Sequence, residues 1–318
     1  MTSITLPNLQ DPSKDTKGLL EQQARSILVE PPTLFGGTTD IGRKRFVWGE
    51  RTYVMGVINV TPDSFSNDGV GSDVEAAVRL AARFQEDGTD IIDVGGESTR
   101  PPGIYGDSKP VTVDEELSRV LPIIEAITRE TDLPVSIDTY KAAVAKSAIE
   151  AGAAMINDVW ALQRDPEMLR VAVEADVPVV LMHNQIGTEY EDVVPDVIEG
   201  LRARVSVAVE GGVRPEHVIV DPGMGFGKTA EQNLEILRRL SEFEALGLPL
   251  LVGMSRKSTI GYVLGLPVED RVEGTAATVT LSIAGGADIV RVHDVKEMAR
   301  VARMTDAVVR GWSQDDAG

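Results

Sequence analysis

From Val54 onward the chain repeats one unit about every 30 residues: a short apolar run, a polar loop and a stretch of helical periodicity. The apolar runs are Val54–Val60, Asp90–Gly95, Pro134–Ile137, Ala154–Val159, Pro178–Met182, Val218–Val220, Pro249–Val252 and Asp288–Val292. They are apolar nearly throughout rather than alternately, as strands covered on both faces must be. Between them, Val74, Ala77, Val78, Ala81 and Ala82 line one helical stripe, and Leu117, Val120, Leu121, Ile124 and Ile127 line another. Gly88, Gly152, Gly247 and Gly286 stand where helices should stop in a left-handed cap. Eight strands alternating with eight helices predict an α/β fold, a (β/α)8 TIM barrel, with a doubly wound open sheet as the structural alternative.

Ahead of the repeat, Lys44–Trp48 and Arg51–Val57, joined by Gly49-Glu50, read as an N-terminal β-hairpin. Residues 1–44 are polar and proline-containing and read as an N-terminal extension, flexible or partly helical, with Thr16–Val29 as its one helical stretch. Such a helix would cover the bottom of the barrel. The barrel itself is assigned to 45–311 and a C-terminal tail to 312–318. The absence of cysteine excludes disulfides, thiolate metal sites and a cysteine nucleophile. A net charge of −19 disfavours nucleic acid and anionic membranes as partners. No apolar run is long enough to span a bilayer, and Met1–Gln10 lacks the pattern of a signal peptide, so a cytoplasmic location is expected.

In a barrel of this kind chemistry gathers where the strands finish. The eight runs end at Asn59; at Asp93 and Glu97; at Asp138, Asn157, His183 and Asp221; at Ser255-Arg256-Lys257; and at Arg291 with His293. Any one of these could be a helix cap or loop anchor, but caps do not call for Lys, Arg and His at neighbouring strand ends. One half of the mouth carries Asn59, Arg256, Lys257, Arg291 and His293, with Ser258 opening a helix, which suits a phosphate or pyrophosphate. The other carries Asp138, Asn157 and Asp221, a set that can pair with the edge of an amino-pyrimidinone ring. The expected ligand is a flat, nitrogen-rich ring joined to a polyanion.

Three other patterns fail on spacing. Gly223–Thr229 has Pro222 where a phosphate loop needs its first glycine, and Gly253–Lys257 lacks the last glycine of a nucleophile elbow. His183, His217 and His293 are too dispersed for a zinc motif, and His217 reads as a surface residue away from the mouth.

The strings Met55-Gly56-Val57-Ile58-Asn59-Val60-Thr61-Pro62-Asp63-Ser64-Phe65-Ser66 and Gly95-Gly96-Glu97-Ser98-Thr99-Arg100-Pro101 resemble the two signatures of the dihydropteroate synthases. Ser136–Thr139, Ile156–Asp158, Asp221–Lys228, Ser255–Ser258 and Arg291–Val295 continue the resemblance in family order. The resemblance implies condensation of 6-hydroxymethyl-7,8-dihydropterin pyrophosphate with 4-aminobenzoate, as a step of folate biosynthesis. It places the pterin on Asp138, Asn157, Asp221 and Lys257, and the pyrophosphate on Asn59, Arg291 and His293, with Mg2+ held through Asn59. It places 4-aminobenzoate among Phe65, Thr99, Pro101 and Ser258. Asp138 and Lys257 act in the chemistry, with Arg100 and Asp63 ordering the loops. A homodimer and sensitivity to sulfonamides are also implied.

Two departures stand out: the second loop reads Arg100-Pro101-Pro102-Gly103 and runs long, and the loop after His183 is short. The Pro pair is expected to stiffen the aminobenzoate side and weaken sulfonamide binding. A pterin-binding paralogue without catalysis and a methyltetrahydrofolate-dependent methyltransferase are the alternative readings.

Overall fold

The strands of this chain form a ring. A computed structural model describes residues 37–60, 73–97 and 111–312. Its strands are β1 Thr38–Ile41, β2 Lys44–Val47, β3 Tyr53–Asn59, β4 Ile91–Gly95, β5 Val135–Asp138, β6 Met155–Asp158, β7 Val179–Met182, β8 Val218–Asp221, β9 Leu251–Val252 and β10 Ile289–Val292. The last eight form one parallel sheet in the order β8-β7-β6-β5-β4-β3-β10-β9. A bridge between Val220 and Leu250, with the Val220 amide donating to the Pro249 carbonyl at 2.9 Å, brings β8 to β9. This is the TIM barrel and not the open sheet. The eight runs all become barrel strands, each displaced by a residue or two at its ends.

Helices follow the strands and bury their inner stripes against the outside of the ring. In the helix Val74–Asp87 the buried side chains are Ala77, Ala81 and Phe84, while Ala82 is exposed, so the stripe runs slightly differently from the expected one. In Val113–Glu130 Val120, Ile124 and Ile127 are buried as expected, joined by Ile123 and Ala126. Gly88, Gly152, Gly247 and Gly286 all have positive φ, matching the left-handed stops.

The hairpin differs from the expected one. Lys44–Val47 pairs antiparallel with Thr38–Ile41 around Gly42-Arg43, so β1 lies within residues 1–44, and Tyr53–Asn59 enters the barrel between β4 and β10. The reason is visible in burial. Tyr53–Ile58 is buried at every position, as a strand covered on both faces requires, whereas β1 alternates exposed and buried.

The hairpin plugs the bottom of the barrel. Ile41, Phe46 and Trp48 are buried against Tyr53, Met55, Ile91, Met155, Ile219 and Ile289, the inward side chains at the strand beginnings. Phe46, Trp48 and Tyr53 pack ring against ring, one pair stacked, one tilted and one edge-on, at centroid distances of 4.6–5.8 Å. The Trp48 indole donates to Thr39 Oγ1 at 2.9 Å, and that hydroxyl donates to the Glu216 carbonyl at 2.6 Å. The neighbouring His217 is a correction to the sequence reading. It is 4% exposed, beside Asp176 and Arg214, and not a surface residue.

Candidate active site

Side chains two apart on a strand share a face, so each inward position at the bottom predicts the one above it. On β4 the inward series is Ile91, Asp93, Gly95; on β6 it is Met155, Asn157; on β8, Ile219, Asp221; on β10, Ile289, Arg291. Register pairs Val57 with Asp93, Asp93 with Ser136, and Asp138 with Asn157, which carries the same inward face across β3 to β6. On these four strands the interior thus changes from apolar to polar in one step. Asn59, Asp138, Asn157 and Asp221 end or nearly end their strands at the upper mouth, where the sequence reading placed them.

Arg291 lies between carboxylates. Its Nε donates to Asp93 Oδ2 at 2.7 Å and its Nη2 to Asp138 Oδ2 at 2.8 Å. The same Asp93 oxygen accepts from Asn157 Nδ2 at 3.0 Å. Burial pushes the Asp138 carboxyl up to about 7 against the pull of Arg291, and Asp93 adds to the upward push. Asp138 Oδ1 is buried with no hydrogen-bond partner among the described residues, which suits an acceptor kept for a ligand.

On β8, burial raises the Asp221 carboxyl, opposed by Lys257 and by the Gly223 amide that donates to Oδ1 at 2.7 Å. Lys257 donates to the Met224 carbonyl and lies 4.8 Å from the centre of the Phe226 ring. Lys257 and Asp221 therefore share one pocket wall. His293 meets Ser255 Oγ through Nδ1 at 3.0 Å and through its amide at 3.1 Å. Arg256, counted in the basic half from sequence, pairs with the residue after His293: its Nε donates to Asp294 Oδ2 at 2.9 Å.

These positions coincide with a known family. The model of the pterin binding enzymes matches residues 55–293. The dihydropteroate synthase of Clostridium beijerinckii is 52% identical over 271 residues, covering 85% of this chain and 99% of that protein. The chain belongs to the dihydropteroate synthase family. Among solved structures, the dihydropteroate synthase of Xanthomonas albilineans with 4-aminobenzoic acid superposes at a TM-score of 0.80 and 42% identity, covering 86% of this chain and 98% of that one. The Yersinia pestis dihydropteroate synthase with a sulfonamide drug does so at 0.81 and 38%, covering 86% and 99%.

Of the other residues assigned from the dihydropteroate synthase signatures, Ser258 opens the helix Ser258–Leu264 directly after Lys257. Asp63, Phe65, Thr99, Arg100 and Pro101 lie outside the described residues, as does Pro102.

Three side chains near this site were given no role from sequence. Asp93 is one. Lys228 is another: it is buried, and its Nζ meets the Gly223 carbonyl at 3.1 Å, the Phe226 carbonyl at 2.9 Å and His183 Nδ1 at 3.1 Å. Burial pulls Lys228 down to about 7 and His183 down to about 3. Three acceptors for three N–H donors still accommodate the ammonium beside a neutral imidazole. The glycine loop is thus laced to its own lysine from within. The third is Lys141, whose Nζ bridges Glu97 Oε2 at 2.6 Å and Glu116, anchoring the base of the loop after β4. A Lys opening a helix and a Glu in the preceding loop were the available signals.

Proposed function

We propose that this chain joins 6-hydroxymethyl-7,8-dihydropterin pyrophosphate to 4-aminobenzoate in the cytoplasm, giving 7,8-dihydropteroate and pyrophosphate within folate biosynthesis. The observation that carries the reading is the Asp93–Arg291–Asp138 bridge beside Asn157, which sets a cation for a polyanion next to acceptors for a nitrogen-rich ring. The aniline nitrogen attacks the methylene carbon; a C–N bond forms as the C–O bond to pyrophosphate breaks, and one N–H proton passes to solvent. Asn157, Asp221 and Lys257 hold the pterin edge, while Asp138 opposes positive charge growing on the pterin methylene. Arg291, His293 and Asn59 receive the leaving pyrophosphate. Phe65, Thr99, Pro101 and Ser258 border the aminobenzoate, and Arg100 and Asp63 order the loops over it.

Mg2+ fits the donor set. Among the described residues no cluster of three His, Asp or Glu side chains could hold a metal. An ion that leans on substrate phosphates and takes one amide oxygen, that of Asn59, needs no such cluster. When bound it would neutralise charge on the leaving pyrophosphate.

A homodimer completes the reading. Leu281 on the helix Val272–Ala284 and Met304 and Val308 on Val295–Val309 are exposed apolar side chains, and Thr280 and Thr305 bring those two helices together at 3.5 Å. Among the described residues, no helix is long and apolar enough to cross a membrane. The test is chromatographic detection of 7,8-dihydropteroate alongside pterin titration. Product formation is expected; pterin binding without product would mean a binding protein only.

A further inference from the structure

Asp93 touches both halves of the site while lying beneath them. It is mid-strand on β4, 0% exposed, and its Oδ2 accepts from Arg291 Nε at 2.7 Å and from Asn157 Nδ2 at 3.0 Å. We propose that Asp93 is a specificity-determining positioning residue, which turns the Asn157 amide so that Oδ1 and not Nδ2 faces the ligand. The proposal rests on the reading of this site as a pterin site.

An ionised carboxylate only accepts, so the amide end it touches must be the NH2, and the other end is then the carbonyl oxygen. Arg291 lies on the same oxygen, and a guanidinium can only donate, so Asp93 Oδ2 accepts from both neighbours. Asn157 presents an acceptor, and Asp221 and Asp138 are carboxylates, so these three call for N–H donors on the ligand, while Lys257 beside them serves a ring nitrogen or carbonyl. The 2-amino group and ring N–H of an amino-pyrimidinone supply those donors. A 2-oxo ring keeps ring N–H groups but puts an acceptor where the 2-amino donor stood, setting oxygen against oxygen there. With a neutral amide at position 93, the Asn157 side chain is free to reverse and offer its NH2 group, and the discrimination should fall.

The experiment compares binding of pterin with binding of lumazine, its 2,4-dioxo counterpart, to the full chain and to Asp93→Asn, by calorimetry without pyrophosphate or turnover. The full chain should prefer pterin strongly, and the variant should lose at least tenfold of that preference. An unchanged preference, with both ligands weakened equally, would overturn the proposal and leave the pterin reading intact. A full chain that binds neither pteridine would overturn both. If Asp93→Asn does not fold, the full chain still decides through the Asn157 side-chain NH2 signals, assigned by their loss in Asn157→Ser. Slowed exchange of those protons without ligand supports the proposal, and exchange at the rate of a free amide overturns it.

Discussion

Asp138 and Arg291, 153 residues apart, meet at 2.8 Å across the mouth of the barrel. The contact ties the end of β5 to β10, and it sets a carboxylate assigned to the pterin against a cation assigned to the pyrophosphate. The carboxyl is nevertheless raised, because burial outweighs the guanidinium.

Asp138→Asn should therefore raise stability in a pH-dependent way. The folded-state value, about 7, lies above the unfolded 3.8. The cost of the ionised carboxyl is absent below the lower value, grows between the two, and is complete above the higher. The variant should be more stable than the parent by on the order of 1–2 kcal/mol at pH 8, and the difference should vanish toward pH 4. Turnover should fall steeply in the same variant. Thermal melts across pH check the first point; a difference of opposite sign at pH 8 would mean that Arg291 dominates over burial.

Asp221→Ala and Arg291→Ala should separate the two substrate halves. Losing the carboxylate leaves ring N–H donors unpaired and costs about 1–3 kcal/mol of affinity for pterin itself. Losing the guanidinium should mainly cut the extra affinity that pyrophosphate confers. Titrations with pterin and with its pyrophosphate measure both, and equal losses for both ligands in both variants would show the halves misassigned.

Removal of residues 1–36 should leave turnover intact, whereas removal through Ile41 should not. The second deletion takes Thr39 from the Trp48 indole and Ile41 from the plug. Trp48→Ala should cost about 3–5 kcal/mol, as for other large core truncations. Melting temperatures and activity of the three proteins check this. An insoluble or weakened first truncation would contradict this and return attention to the helix expected from sequence at Thr16–Val29, which lies outside the described residues.

Gly223→Ala should disturb the Asp221 turn. Gly223 has φ +69°, and a Cβ there would run into the His183 carbonyl. Since the Gly223 amide also holds Asp221 Oδ1, the variant should lose pterin affinity along with stability. Unchanged affinity in a folded variant would detach the turn from the site.

The barrel was legible because its strands are covered on both faces and read as unbroken apolar runs. The mouth was legible because polar residues end those runs. The hairpin was misread since Tyr53–Asn59 looked like a partner for Lys44–Val47 by proximity alone, and the alternation of Thr38–Ile41 is only four residues long. Asp93 was singled out near a strand end but given no role, because its value depends on inward parity and on Arg291, 198 residues later. Lys228 escaped because a lysine after glycines suggests a phosphate, and nothing in sequence tells whether its ammonium turns outward or onto its own loop carbonyls.

The most direct measurement is the initial rate of pyrophosphate release in an omission series with dihydropterin pyrophosphate, 4-aminobenzoate and Mg2+. The account predicts release only when all three are present, and competitive slowing by a sulfonamide against 4-aminobenzoate. Release that proceeds at the same rate without 4-aminobenzoate, or none with all three present, would contradict it.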